Sequence, residues 1–170
     1  GHGISVSPMH AAVAGAALIN GGQLIPPTFL PRSKEEGAAL AKQVLFPQTS
    51  ATMRYLMRLN VEKGSGKRAE VPGYLVGAKT GTAEKVVNGR YSGEKVLNTF
   101  LATFPTDAPR YLIFLMLDEP KPTKDTYGFR TAGWNVAPTT GKIVQRIAPL
   151  LGVPPRLPPT GGDDVIAVSY

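Results

Sequence analysis

One short stretch, Lys79-Thr80-Gly81-Thr82, sets an ammonium, two hydroxyls and a glycine side by side. Its surroundings are small and apolar, Val76-Gly77-Ala78 before and Ala83 after. The Lys79 ammonium can hold a carboxylate or perturb the proton of a neighbouring hydroxyl. The hydroxyls of Thr80 and Thr82 can donate to that same carboxylate. Gly81 carries no Cβ, so a ligand backbone can approach closely, and the amide N–H beyond it can point at a developing oxyanion. The combination suits an anionic substrate. Side chains alternate along a strand, so Lys79 and Thr80 should face opposite ways. Both serve one site only where a cleft lies along the strand's edge. The same four residues also fit an ordinary edge strand with one exposed lysine.

The elements that must position this stretch follow from local pattern. Ser7-Pro8 starts a helix, with a hydroxyl cap followed by proline at the first helical position. Residues 9–19 are Ala-rich and apolar on all sides, which predicts a helix buried among close neighbours. Asn20-Gly21-Gly22 stops it. Pro26, Pro27 and Pro31 make 23–31 an extended edge segment. Residues 33–41 read as an exposed loop or short helix, and 43–46 as a short strand. Residues 47–63 predict an amphipathic helix with Met53, Leu56, Met57 and Val61 on one face, ended by Gly64-Ser65-Gly66. Pro72-Gly73 then turns the chain into the strand that carries Lys79. Asn88-Gly89 is a hairpin signal, residues 98–104 are the next strand, and 105–109 turn again. The continuous apolar run 111–117 predicts a strand buried on both faces. Three such strands make an antiparallel meander. After a Pro- and Lys-rich loop, residues 137–151 form a helix with Ile143, Val144, Ile147 and Leu150 inward, and Trp134 reads as a core anchor. The fold class is α+β: an antiparallel sheet flanked by N- and C-terminal helices. Residues 1–152 carry the domain. Pro154, Pro155, Pro158 and Pro159 mark 153–170 as a tail lying over the surface or partly disordered.

Composition removes several function classes. Of the 170 residues, 42% are hydrophobic and 18% charged, which is globular. There is no cysteine, which excludes disulfides, thiol catalysis and cysteine–zinc sites. His2 and His10 lie eight apart with no acidic partner nearby, which argues against a histidine metal site. No run is apolar enough to span a membrane, and none reads as a signal peptide. The net charge of +7 permits anionic partners. The basic residues are scattered, however, and the densest cluster is only Lys63, Lys67 and Arg68. A solvated basic surface explains them, so nucleic acid is not an expected partner. Gly64-Ser65-Gly66-Lys67 fails as a phosphate loop, because Val61 stands where the first glycine belongs and Arg68 follows the lysine.

Lys79-Thr80-Gly81-Thr82-Ala83 resembles the third active-site motif of penicillin-binding proteins and serine β-lactamases. The resemblance extends over residues 1–152. Gly3-Ile4-Ser5-Val6-Ser7-Pro8, the Ala-rich helix and Asn20-Gly21-Gly22 are similar to the segment that class B penicillin-binding proteins carry before that motif. So is the later order of Asp118-Glu119-Pro120, Tyr127-Gly128 and Ala137-Pro138. Lys79 through Tyr91, with Asn88-Gly89-Arg90-Tyr91, most resembles the cell-division, septum-building type. The fold implied is part of the penicillin-binding transpeptidase and serine β-lactamase fold.

The resemblance implies a peptidoglycan D,D-transpeptidase that cross-links stem peptides through a serine acyl-enzyme and is trapped by β-lactams. It implies no cofactor and no metal. Lys79 and Thr80 would bind the terminal carboxylate of the stem peptide or the drug, with Gly81 among the motif's catalytic residues. Thr82 would give its N–H to the oxyanion hole and its hydroxyl to the ligand. Tyr127 and Gly128 would border the cleft, although Thr126 and Phe129 flank a pair that is longer in the family. They read equally well as a loop-packing aromatic and a turn glycine.

The family also needs Ser-x-x-Lys and Ser-x-Asn. Ser-x-Asn is absent here. The one literal Ser-x-x-Lys, Ser92-Gly93-Glu94-Lys95, follows the Lys-Thr-Gly run and has a glycine where a helix should start. The nucleophilic serine and its lysine are therefore expected upstream, and this chain alone should be inactive. Its further partners would be the upstream part of the same domain, docking on an apolar surface, and cell-division proteins. The parent would be anchored in the cell inner membrane with this domain on the periplasmic side. Two alternatives stand beside that reading: a non-catalytic binding or scaffold module of the same fold, and a serine β-lactamase.

Overall fold

The computed structural model describes residues 4–156. Helix α1 (Pro8–Ile19) starts where the cap signal places it: the Ser7 hydroxyl accepts from the His10 N–H at 3.2 Å. Asn20 closes it, and Gly21 and Gly22 take positive φ. Its buried positions, Gly15, Ala17 and Ile19, all lie in its second half. The expectation of burial on all sides is thus corrected for the first half of α1 only. Gly15 and Ile19 are buried on one side and Ala17 on nearly the opposite side, whereas Ile4, Val6 and Met9 at its start are exposed. A two-residue strand, β1 (Gln23–Leu24), pairs antiparallel with β2 (Lys42–Gln43). Between them α2 (Lys34–Ala39) is held by a capping box between Ser33 and Glu36.

Helix α3 spans Pro47–Lys63, as its periodicity predicts, and Gly64 caps it. Its buried stripe is Ser50, Met57 and Val61; Leu56 lies off that stripe and is half exposed. A single 3-10 turn (Lys67–Ala69) follows.

The main sheet has three antiparallel strands in the order β3 (Gly77–Val87), β4 (Arg90–Phe104), β5 (Tyr111–Asp118). Asn88 (φ 51°) and Gly89 (φ 77°) make the turn between β3 and β4. Both left-handed residues match a two-residue hairpin. The meander is therefore as predicted, but β4 starts at Arg90 and is longer than its apolar segment. Pairing slips between Glu84 and Lys85, which bond opposite Val96 and Ser92, so β4 bulges through Gly93, Glu94 and Lys95. The Ser92 hydroxyl accepts from the N–H groups of Glu94 and Lys95, both at 3.3 Å. The literal Ser-x-x-Lys is thus a strand bulge whose serine caps its own backbone.

The even-numbered residues of β4 make the core. Phe100, Ala102 and Phe104 are fully buried against Val136, Val144 and Ala148 of helix α4 (Val136–Leu150). Leu150 is 85% exposed, so the inward face of α4 ends at Ala148. Strand β5 is half-buried from Tyr111 to Leu117 and exposed at Asp118. It is the far edge of the sheet, and α1 covers its second face only in part, so the both-faces expectation does not hold. Val153 returns to the core, and Arg156 donates its N–H to Gly73 O at 2.7 Å and pairs with Asp107. The rest of the expected tail, 157–170, lies outside the described residues.

Lys85 ties β3 to the end of β5, with its ammonium 3.0 Å from Asp118 and 2.9 Å from Glu119. These hydrogen bonds, Glu119's first, raise the Lys85 pKa, and the Lys85 hydrogen bond lowers that of Glu119. A lowered carboxylate pKa stabilises the fold above the usual carboxylate range and stops doing so as pH falls through the folded value. Glu119→Gln should therefore lower the thermal midpoint at about pH 7, and the difference from wild type should close by about pH 3. Thermal unfolding followed by circular dichroism at both pH values checks this.

Candidate active site

Among the described residues, strand β3 is an edge of the sheet, with β4 on one side only. The backbone groups on its other side need partners, and α3 supplies them for the first few residues. Arg58 donates to Val76 O at 2.8 Å and Asn60 donates to Ala78 O at 2.9 Å. Arg58 is itself held in a fork by Glu70, at 2.7 and 3.1 Å, and by Glu62 at 2.9 Å. Burial works against its charge, but the two carboxylates outweigh that and raise its pKa. Beyond Ala78 helix α3 gives way to the turn at Gly64, and the edge of β3 is open.

The predicted residues sit on this open edge. The Lys79 side chain leaves the sheet on the face toward α1. There Ala14, Gly15 and Leu18 join Lys79, Gly81 and Thr99 around a groove of about 410 Å³. Its ammonium curls back to the edge and donates to Thr80 O at 2.7 Å. Thr80 faces the other way, and its hydroxyl lies 2.8 Å from that of Ser65. Alternation therefore separates the two side chains, and the edge reunites their functional groups. The outward carbonyls of Val76, Ala78 and Thr80 also fix which amides face out. In an antiparallel strand the N–H and C=O of one residue share a side, so the N–H groups of Thr80 and Thr82 share that open edge. Gly81 points its missing Cβ at the Thr99 hydroxyl on β4. Its lack of a side chain answers a neighbouring strand, whereas the sequence suggested room for a ligand.

Proton counting orders the hydroxyls. Asn60 spends its amide N–H on Ala78 O, so its Oδ1 accepts from Ser65 at 3.2 Å. That uses the only proton of Ser65, so Thr80 donates to Ser65. A bound carboxylate would draw the Thr80 proton outward. Thr82 accepts from the Ala132 N–H at 3.1 Å, which leaves its own proton free for a ligand.

The Thr82–Ala132 bond brings in the loop between β5 and α4. Asn98, opposite Thr82 in the register, donates to Arg130 O and to Asn135 Oδ1. Tyr127 (φ 51°) and Gly128 (φ 77°) form a left-handed turn, with Tyr127 77% exposed. Trp134 is half-buried in this loop and is not a core anchor; Tyr127, Phe129 and Arg68 surround it. Local sequence marks Asn60, Ser65 and Arg68 only as a helix end, its stop and part of a small basic cluster, because their partners Ala78, Thr80 and Trp134 lie far along the chain. Asn60→Leu leaves Ala78 O without its donor, and should cost about 1–3 kcal/mol of stability. Urea unfolding of wild type and variant measures that difference.

Residues 1–140 match the family model described as "Penicillin binding protein transpeptidase domain". The chain is 46% identical over 165 residues to the "Probable peptidoglycan D,D-transpeptidase FtsI" of Caulobacter vibrioides, covering 90% of this chain and 27% of that protein. It is 35% identical to the stage V sporulation protein D of Bacillus subtilis, covering 92% of this chain and 25% of the relative. The chain thus spans about a quarter of the length of these curated relatives. Among solved structures, the apo transpeptidase domain of Burkholderia pseudomallei penicillin-binding protein 3 superposes with a TM-score of 0.81 at 32% identity. That match covers 93% of this chain and 46% of the other. Penicillin-binding protein 3 of Mycobacterium tuberculosis, complexed with ampicillin, gives a TM-score of 0.74 at 27% identity, covering 94% and 38%. With the Lys-Thr-Gly edge, the meander and the closing helix all in place, this chain belongs to the penicillin-binding protein transpeptidase domain family.

Proposed function

We propose that this chain is the C-terminal part of the transpeptidase domain of a class B, cell-division type penicillin-binding protein. Its parent would cross-link peptidoglycan stem peptides through a serine acyl-enzyme. The observation that carries this reading is the open edge of β3. There the Lys79 ammonium, the Thr80 hydroxyl and the outward N–H of Thr82 converge within one short stretch of one strand.

In this reading a stem peptide ending in D-alanine lies along that edge. Lys79 and Thr80 hold its terminal carboxylate, charge on charge and hydroxyl on carboxylate. A serine supplied upstream attacks the preceding carbonyl carbon. The Thr82 N–H donates to the oxygen as it becomes an oxyanion, and the terminal D-alanine leaves with the proton returned to its amine. An amine of a neighbouring stem peptide then takes the acyl group and frees the serine. A β-lactam presents the same carboxylate and carbonyl and stops at the acyl stage. The exposed start of α1, with Ile4, Val6 and Met9, is where the upstream part of the domain would dock. That part would carry the nucleophile, so the chain alone would be inactive. The parent would be held at the cell inner membrane with this domain on the periplasmic side, among cell-division proteins. Among the described residues no helix is long and apolar enough to cross a membrane.

The test uses the full-length gene product, incubated with labelled penicillin and mapped by peptide mass. A single adduct on a serine upstream of residue 1 is expected, and Lys79→Ala should slow its formation by about a hundredfold. A folded protein with no adduct would return the reading to a non-catalytic binding module. An adduct on Ser92 would contradict the assignment of that serine to a strand bulge. Rapid hydrolysis of the adduct would favour a β-lactamase.

A further inference from the structure

The loop between β5 and α4, residues 119–135, is long for a connection inside a compact domain. It touches the candidate site at two places. Ala132 donates its N–H to Thr82, and a Cβ at Gly133 would stand 2.7 Å from Ser65 O. The rest of its posture is set by a stack. The Arg68 guanidinium lies 3.3 Å from the centroid of the Trp134 ring. Phe129 stacks on Trp134 at 4.8 Å and 17°, and Tyr127 meets it edge-on at 5.4 Å. A guanidinium so close to one face leaves the parallel Phe129 ring the other face. Arg68 makes no salt bridge among the described residues. Its contact is the ring, and a planar, weakly hydrated cation suits that contact better than an ammonium does. Arg68 also belongs to the 3-10 turn three residues past Ser65, on the wall that meets Thr80.

We propose that Arg68 is a positioning residue for substrate affinity. Its stack on Trp134 clamps the Tyr127–Gly128 turn beside the β3 edge, so that the exposed Tyr127 ring is presented to the acyl substrate in one posture. This rests on the transpeptidase reading for the substrate, D-alanine-ended peptides and penicillins. It does not rest on that reading for the clamp itself.

Two readouts on the full-length protein test it. The first is amide hydrogen exchange. The N–H groups of Phe129 and Trp134 bond to Thr126 O and Thr131 O, both at 2.9 Å, and report on the loop. Arg68→Met should speed their exchange by about tenfold or more while the amides of β4 and α4 stay protected. The second is the concentration dependence of acylation by penicillin. Arg68→Met should raise the half-saturating concentration about fivefold, with the limiting rate changed by less than about twofold. Arg68→Lys, which keeps the charge but not the plane, should fall between wild type and Arg68→Met in both readouts. Trp134→Leu should shift affinity equally, and the double variant should show no further loss. If Arg68→Met does not fold, the Arg68→Lys comparison decides. Unchanged loop exchange overturns the clamp, and faster exchange with unchanged half-saturation overturns its role in affinity. Additive losses in the double variant also contradict it. If wild type is not acylated at all, the transpeptidase reading and the affinity role both fail, and exchange alone decides the clamp.

Discussion

The outward-facing backbone of β3 is the constraint on which the site depends. An edge strand exposes a row of N–H and C=O groups, and each needs a partner or water. Here the row is divided. Up to Ala78 the side chains of Arg58 and Asn60 satisfy it, and α3 thereby seals the strand against other chains. From Thr80 onward the row stays open, and there the ammonium and hydroxyls are collected. Arg58 can serve the backbone because Glu62 and Glu70 hold its charge. Asn60 serves two ends at once, pinning Ala78 O and orienting Ser65. A residue on α3 thus reaches the Thr80 proton through two hydrogen bonds.

Around that edge the fold is a support. One face of the sheet is dry, with Phe100, Ala102 and Phe104 under α4, and holds the strands at a fixed height. The other face is only partly covered by α1, and the Lys79 stem lies in the groove that results. The Lys85 cluster and the Thr82–Ala132 bond stitch the loop after β5 to β3 from both ends. The site therefore draws on α1, α3, β3 and a distant loop, with only four of its residues contiguous.

Much of this was legible from local sequence, for physical reasons. Ser7-Pro8, Pro47 and Gly64 mark helix ends because caps and prolines act within one turn. Asn88-Gly89 marks a hairpin because its turn needs two left-handed residues. Lys79-Thr80-Gly81-Thr82 stood out because a charge among small apolar residues has no packing purpose. What local sequence does not carry is which strand lies at an edge. Helix α1 read as buried because its composition is apolar, yet only its second half is covered and its start is exposed. The run 111–117 read as a strand buried on both faces, yet β5 is the far edge of the sheet and half-buried from Tyr111 to Leu117. Trp134 read as core for its size, and the structure spends it on Arg68 and Phe129. The purpose of Gly81 was invisible for the same reason: Thr99, its neighbour, is on another strand.

On the proposed function, the open edge of β3, from Thr80 to Thr82, would receive the substrate carbonyl and carboxylate. The most direct measurement is the crystal structure of the full-length protein after reaction with a penicillin. The acyl oxygen is expected within hydrogen-bond distance of the Thr82 N–H, and the drug's carboxylate on Lys79 and Thr80. An acylated structure with the carbonyl oxygen held elsewhere, and the edge of β3 still empty, would contradict it.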